Sequence, residues 1–395
     1  MNGRHRHRVG GGLTCDRETR GSGIESRMTT GRSARGVTLG AALLLASGAA
    51  LIGQTSAPTR LMKFFECQGR RETMTITRRT FLTASGASVI GASLEGQPRY
   101  TLEPDVHGQT LKDPNGRVVL GYLTSKPPGL TGNSACCIHP FRTPSGIPAT
   151  DFAPADHPNH RGIFFAWHDM QFTRAAETLR GDFWGWGRFA PSDDRAIVNR
   201  HVKLAKADAR SASIAVQNEW TIGGHPVLHE ETTIQAIDDQ GARVLDLTYR
   251  FTSDYDVTIN QMAFTGLCFR CRKDGTYTFY DPDGEVKLPN SGATAPETGW
   301  PARPWYSHVV TRADGSSVSS ALIDHPSNPP SLWHGARGVS FLNPCITAKG
   351  PVTFGPKQPL ILRYRALTID GRFPGGMLDR IARQPHPSGY QTAGT

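Results

Sequence analysis

From about residue 99 onward the chain alternates apolar and polar side chains in short runs. Val244-Leu-Asp-Leu-Thr-Tyr-Arg-Phe251 is representative. A period of two places every second side chain on one face of an extended strand, which is the pattern of a half-buried β-strand. Comparable runs, rich in Val, Ile, Thr and Tyr, cover residues 118–123, 201–205, 212–220, 227–237, 257–264, 321–324 and 360–369. Between them lie turn-forming clusters such as Asp238-Asp239, Asp281-Pro-Asp-Gly284 and Ala313-Asp-Gly-Ser316, whose side chains and backbone freedom suit tight reversals. Long patterns of helical period are scarce, and neither a βαβ rhythm nor an internal repeat is present. The pattern predicts an all-β protein, a large antiparallel β-sandwich built as a single domain over residues 96–395.

The first 95 residues read differently. Residues 1–27 have no hydrophobic periodicity, and residues 28–57 run from basic to apolar to small and polar. A second such sequence opens at Met74. Arg78-Arg79-Thr80-Phe81-Leu82 is followed by a mildly apolar stretch of small residues, the layout of a twin-arginine (Tat) export signal. Two successive signals fit a true translation start at Met74. The expected location is then periplasmic or extracellular, with the Tat machinery engaging Arg78 and Arg79. Charge supports this division. Of the net +10, residues 1–73 contribute +7, from 12 Lys/Arg against 5 Asp/Glu, and Arg78 with Arg79 adds +2. The remainder carries 30 Lys/Arg and 29 Asp/Glu, so no general electrostatic attraction to nucleic acid is expected of it.

Five cysteines fall in the body: Cys136, Cys137, Cys268, Cys271 and Cys345. Cys268 and Cys271 have the spacing of half a zinc site, but 266–272 reads as a strand, where positions three apart face opposite ways. Ordinary strand cysteines are expected.

Two segments interrupt the strand pattern and gather unusual residues. The first runs from Asp151 through Asp156-His157-Pro158-Asn159-His160-Arg161-Gly162 to Trp167-His168-Asp169, and on to Asp182-Phe183-Trp184-Gly185-Trp186. The second is Asp324-His325-Pro326-Ser327-Asn328-Pro329, followed by Trp333-His334. A Pro-containing loop can turn His157 and His160 into one pocket, joined by a third imidazole from His325 or His334. Neutral imidazoles suit proton transfer or metal ligation near neutral pH. His157, His160 and His325 are the candidate catalytic residues. Asp156 and Asp324, each preceding a His, can orient one. Arg161 offers a planar donor fork, and Trp167, Trp184, Trp186 and Trp333 offer flat faces for a sugar ring. Asp156, Arg161, Trp184, Asn328, Trp333 and His334 make up the candidate substrate contacts. Three classes follow: a carbohydrate-active enzyme using histidine acid/base chemistry, a His-ligated metal enzyme, and a non-catalytic carbohydrate-binding protein. The residues name no particular cofactor, and the metal reading lacks any HxH, HxD or HExxH spacing.

Several ordered motifs over residues 100–385 resemble the PmoA-like family. They are Thr143-Pro144-Ser145-Gly146, Asp156-His157 with His160 and Gly162, Asp182-Phe183-Trp184, the Asp324 to Pro329 run, Trp333-His334, Asn343-Pro344 and Arg363-Tyr364-Arg365. Asn159 stands where the family commonly has His, and His168 where an aromatic-Gly-Asp pattern is expected. The resemblance implies a bacterial β-sandwich of unestablished activity, associated with sugar catabolism and similar in architecture to the galactose-mutarotase-like supersandwich. It implies nothing about methane oxidation, since the methane monooxygenase subunit of that name is an integral membrane protein.

Overall fold

The structure, a computed structural model, describes residues 98–130, 136–185 and 187–387. The twin-arginine segment, Met74 and Trp186 lie outside these residues. In chain order the strands are β1 (Thr101–Asp105), β2 (Gly108–Lys112), β3 (Val118–Leu123), β4 (Cys137–Phe141), β5 (Ile163–Ala166), β6 (Met170–Arg174) and β7 (Glu177–Gly181). Next come β8 (Ala196–Ala207), β9 (Ser211–Ile222), β10 (His225–Asp239), β11 (Ala242–Thr252), β12 (Asp256–Ile259), β13 (Gly266–Arg270) and β14 (Thr276–Asp281). The last are β15 (Gly284–Glu285), β16 (Trp305–Thr311), β17 (Ser317–Asp324), β18 (Leu332–Ala336), β19 (Val339–Cys345), β20 (Val352–Phe354) and β21 (Leu360–Asp370), followed by a short helix, α1 (Met377–Ala382).

They form an eight-stranded sheet, β1-β2-β3-β4-β5-β13-β19-β18, and a nine-stranded sheet, β15-β14-β16-β17-β21-β11-β10-β9-β8. A four-stranded sheet, β20-β12-β6-β7, completes the body. All pairings within these sheets are antiparallel. The two large sheets pack face to face: Phe165 of β5 meets Tyr249 and Phe251 of β11, and Trp333 of β18 meets Tyr306 of β16. The molecule is thus the expected antiparallel β-sandwich. Among the described residues no helix is long and apolar enough to cross a membrane.

Two details modify the sequence expectations. In β11 the polar positions Asp246 and Thr248 of the alternating run are buried as well as the apolar ones, and Arg250 is half-buried. Leu245, Leu247, Tyr249 and Phe251 face the inter-sheet core, while Val244, with Leu367 and Ile369 of β21, lies beneath Met377, Leu378 and Ile381 of α1. Asp246 shares that covered face and is paired there with Arg365, whose Nη1 also donates to the Ile381 carbonyl at 2.5 Å. The expected strand over 257–264 stops at Ile259, because the chain then crosses toward β13. Carbonyls along that crossing are met by side chains instead of a ladder: the Cys345 thiol reaches Met262 O, and Asn343 donates to Thr265 O at 3.0 Å.

Removing one partner of the buried Asp246–Arg365 pair strands a charge and a helix carbonyl. Arg365→Leu is expected to lower unfolding stability by about 3–5 kcal/mol. A urea titration reads this as a lower midpoint with unchanged slope, and an unchanged midpoint contradicts it.

Candidate functional site

The strand parity that builds the core also builds a cleft on the outer face of the eight-stranded sheet. Along β5 and its extension, Phe165 and Trp167 point inward onto Tyr249, Phe251 and Trp220. Phe164 and His168 fall on the opposite side, and both meet Trp184. On β18, Trp333 points inward while His334 lines the cleft beside Phe264 and Phe341. The cleft has a volume of about 600 Å³. His157, Asn159, His160, His168, Trp184, Arg188, Phe264, His334 and Phe341 are among its walls.

Six of these rings close into a circuit in which imidazoles alternate with Trp or Phe rings. Centroid distances are 5.7 Å from His160 to Trp184, 5.5 Å on to His168 and 5.0 Å on to Phe264. The circuit continues 5.0 Å to His334, 5.6 Å to Phe341 and 5.6 Å back to His160. His157 stacks on His160 at 4.7 Å.

Backbone turns fix the first loop. His160 N–H donates to His157 O at 2.9 Å, and Ala153 N–H to His160 O at 2.8 Å. Gly162 follows at φ 65°, and a Cβ there would come within 2.2 Å of Ile138 O, so only glycine lets the loop join β5 at this angle. Asp156 braces the loop from behind. Its carboxylate accepts from Arg270 Nη2 at 3.0 and 3.1 Å, meets Lys273 Nζ at 3.0 Å and lies 3.2 Å from His157 Nδ1. Burial opposes its ionisation, but bonds from Lys273, Arg270 and His157 outweigh that and hold its pKa well below the usual carboxylate range.

Asp182 organises the Trp184 loop. Oδ1 accepts from the Trp184 and Gly185 N–H groups at 2.9 and 2.6 Å, and Oδ2 from the Phe189 N–H at 3.1 Å. His168 Nδ1 lies 3.1 Å from Oδ1. Burial raises the carboxyl's pKa, yet His168 and the backbone donors bring it below the ordinary value.

Burial keeps the three imidazoles of the circuit, His160, His168 and His334, neutral. Burial, and then the Arg270 guanidinium, lowers His160 from 6.5 to about 2. Burial alone lowers His334 to about 4, and burial also outweighs the Asp182 carboxylate to lower His168. Arg270 carries only donors, so His160 Nδ1, 3.5 Å from its Nη1, faces it as a lone pair and the ring proton sits on Nε2. His168 Nε2 and His334 Nδ1 are buried without a hydrogen-bond partner among the described residues.

Several expected site residues lie elsewhere. His325 is at the end of β17, its Nδ1 2.8 Å from Ser327 Oγ and its ring 5.5 Å from His386. Asn328 is a structural bracket: it donates to Asp324 Oδ1 and Arg363 O, both at 2.7 Å, and accepts from Arg363 N–H at 2.8 Å. Asp324 is half-buried, its carboxyl set against neutral partners, and desolvation pushes it up to about 6. Arg161 is buried, in electrostatic reach of Cys137 and Cys136 rather than on the cleft. Trp167 and Trp333 are core residues, because neighbours on a strand face opposite ways. Sequence reasoning set His168 aside and overlooked Phe264, Phe341 and Arg188. The parity of Phe164-Phe-Ala-Trp-His168 carried the signal for His168. Among the described residues no three His, Cys, Asp or Glu side chains converge in a metal-binding arrangement.

A family model of unknown function, DUF6807, matches residues 113–383. The chain belongs to the DUF6807 family. Its model covers the first loop, both faces of the cleft and α1. No curated protein matches this DUF6807 chain. Among solved structures it is similar to the Slr1438 protein of Synechocystis sp. PCC 6803, at 11% identity and TM-score 0.33, covering 70% of this chain and 96% of that one. A galactose mutarotase related enzyme of Lactobacillus acidophilus is similar at 7% identity and TM-score 0.32, covering 69% and 97%. A putative mutarotase, YeaD, of Salmonella typhimurium matches at 9% identity and TM-score 0.27, covering 70% and 95%. These are likenesses of strand arrangement, and no chemistry is carried over from them.

The neutral imidazoles tie stability to pH. Above pH 6.5 they are uncharged in both folded and unfolded chains. Below 6.5 only the unfolded chain binds their protons, so stability falls until the folded pKa is reached. His334→Asn removes one such group. Between pH 6.5 and 4 its stability should fall less steeply than the parent's, by up to about 1.4 kcal/mol per pH unit. Chemical denaturation across that range reads the two slopes, and identical slopes contradict the assignment.

Proposed function

We propose that the cleft is an active site that binds a small, sugar-derived polyhydroxylated compound and moves a proton on it with imidazole groups. The observation that carries this reading is the alternating circuit of three neutral imidazoles and three aromatic faces. Flat apolar faces suit the C–H surface of a sugar ring. Imidazoles with free nitrogens suit its hydroxyls and acidic C–H groups. No Asp or Glu stands among the described residues of the lining. Hydrolysis by a pair of carboxylates flanking the scissile bond is therefore not the chemistry proposed. Arg188 is the lining side chain with a permanent charge, and a carboxylate on the ligand would complement it. The favoured substrates are accordingly sugar acids. The motif resemblance to the PmoA-like family agrees with a sugar-linked role, and methane oxidation forms no part of the proposal.

A panel of neutral hexoses, hexuronates and hexonates tests this, with saturation-transfer NMR for binding and deuterium uptake from D₂O for proton transfer. Sugar acids should bind. Arg188→Gln should weaken them about tenfold or more, the range of a hydrogen bond to a charged group, and leave neutral hexoses unchanged. His160→Asn should bind the sugar acids and lose deuterium uptake. Failure of every compound to bind the parent protein contradicts the reading, and binding without uptake reduces it to a binding protein.

A further inference from the structure

His168 and Asp182 have a feature that the proposed function leaves unused. His168 is fully buried, yet it lies in the cleft wall. Its two nitrogens are in unlike surroundings. Nδ1 faces Asp182 Oδ1 at 3.1 Å, whereas Nε2 has no hydrogen-bond partner among the described residues. A buried nitrogen without a partner is uncommon and calls for a ligand or water to complete it. Phe189, Phe264 and Trp184 surround the ring at 4.2, 5.0 and 5.5 Å, so it cannot turn to exchange the two nitrogens without displacing them.

Asp182 decides which nitrogen carries the proton. Its oxygens already accept three backbone N–H groups, and such donors stabilise the ionised carboxylate. An ionised carboxylate has no proton to give, so His168 Nδ1 must be the donor. The neutral ring then presents Nε2 as a lone pair. His160 has the opposite arrangement, with Nδ1 toward Arg270 and its proton on Nε2. The cleft therefore holds a proton acceptor and a proton donor in complementary tautomers about one aromatic ring, Trp184, which contacts both.

We infer that His168 is the proton-accepting catalytic residue of the cleft, through Nε2, and that Asp182 is its positioning residue. The inference rests on the reading of the cleft as an active site. In the step, a ligand O–H or activated C–H bond breaks, its proton passes to Nε2, and the electron pair stays on the ligand. The resulting imidazolium is balanced by the Asp182 carboxylate, which keeps its own charge throughout.

The test uses D-glucuronate and D-galacturonate as probes. His168→Gln should bind them within about threefold of the parent and lose deuterium uptake by about a hundredfold or more, the range of general-base catalysis. His168→Gln with unchanged uptake overturns the inference. The buried position makes a second measurement necessary, taken on the unaltered protein. Long-range ¹⁵N–¹H spectra at neutral pH should show His168 protonated at Nδ1 and bare at Nε2. Addition of a bound hexuronate should shift Nε2. A proton on Nε2 with Nδ1 bare overturns the inference whatever the variant does. If neither probe binds, the sugar-acid reading fails by itself, and the tautomer still decides the dyad.

Discussion

Strand parity on the eight-stranded sheet is the constraint on which the rest depends. The same short runs must supply inward side chains to the sandwich core and outward ones to the cleft. Phe165 and Trp167 fill the core because Phe164 and His168 do not. Trp333 meets Tyr306 because His334 faces the other way. A one-residue slip of either run would exchange aromatic core for imidazole wall and bury two unpaired histidines between the sheets. Cleft and core therefore share one register.

Two carboxylates, Asp156 and the buried Asp182, hold the loops that complete this surface. Asp156 ties the His157–His160 loop to Arg270 on β13 and to Lys273. Asp182 gathers three backbone N–H groups of the Trp184 loop together with His168. Neither is part of the lining. Acidic groups thus support the cleft from behind, while imidazoles, aromatic faces and the Arg188 guanidinium, with Asn159 and Ser291, are among the groups offered to a ligand. That division gives the site its chemistry: negative charge is held in the scaffold, and neutral proton-transfer groups are held at the surface.

The parts of the fold that could be read from the sequence were those with one face in the core. Much of β9, β10 and β21 alternates visibly, and the expected runs there fall inside the observed strands. β5 and β13 are buried on both faces. Their side chains carry little alternation, so a strand there can be read but its facing cannot. The same gap explains the site. His157, His160, Trp184 and His334 meet in the cleft, but His325 does not. The Asp324–Asn328 bracket ties the His325 turn to β21, and the second segment reaches the cleft only through β18. Choosing both Trp333 and His334 for one pocket overlooked the parity rule, and so did choosing Trp167 over His168. Burial around His168 and the Asp182 hub depends on residues 14 apart, a proximity that spacing alone does not disclose.

The central claim is that the cleft presents imidazoles kept neutral by burial. Histidine ring-proton shifts followed by NMR from pH 8 to pH 4.5 test it most directly. Neither His160 nor His334 should reach a titration midpoint between pH 8 and pH 4.5, since their values lie near 2 and 4. Midpoints near 6.5 for these two rings, the value of a solvated imidazole, would contradict the account.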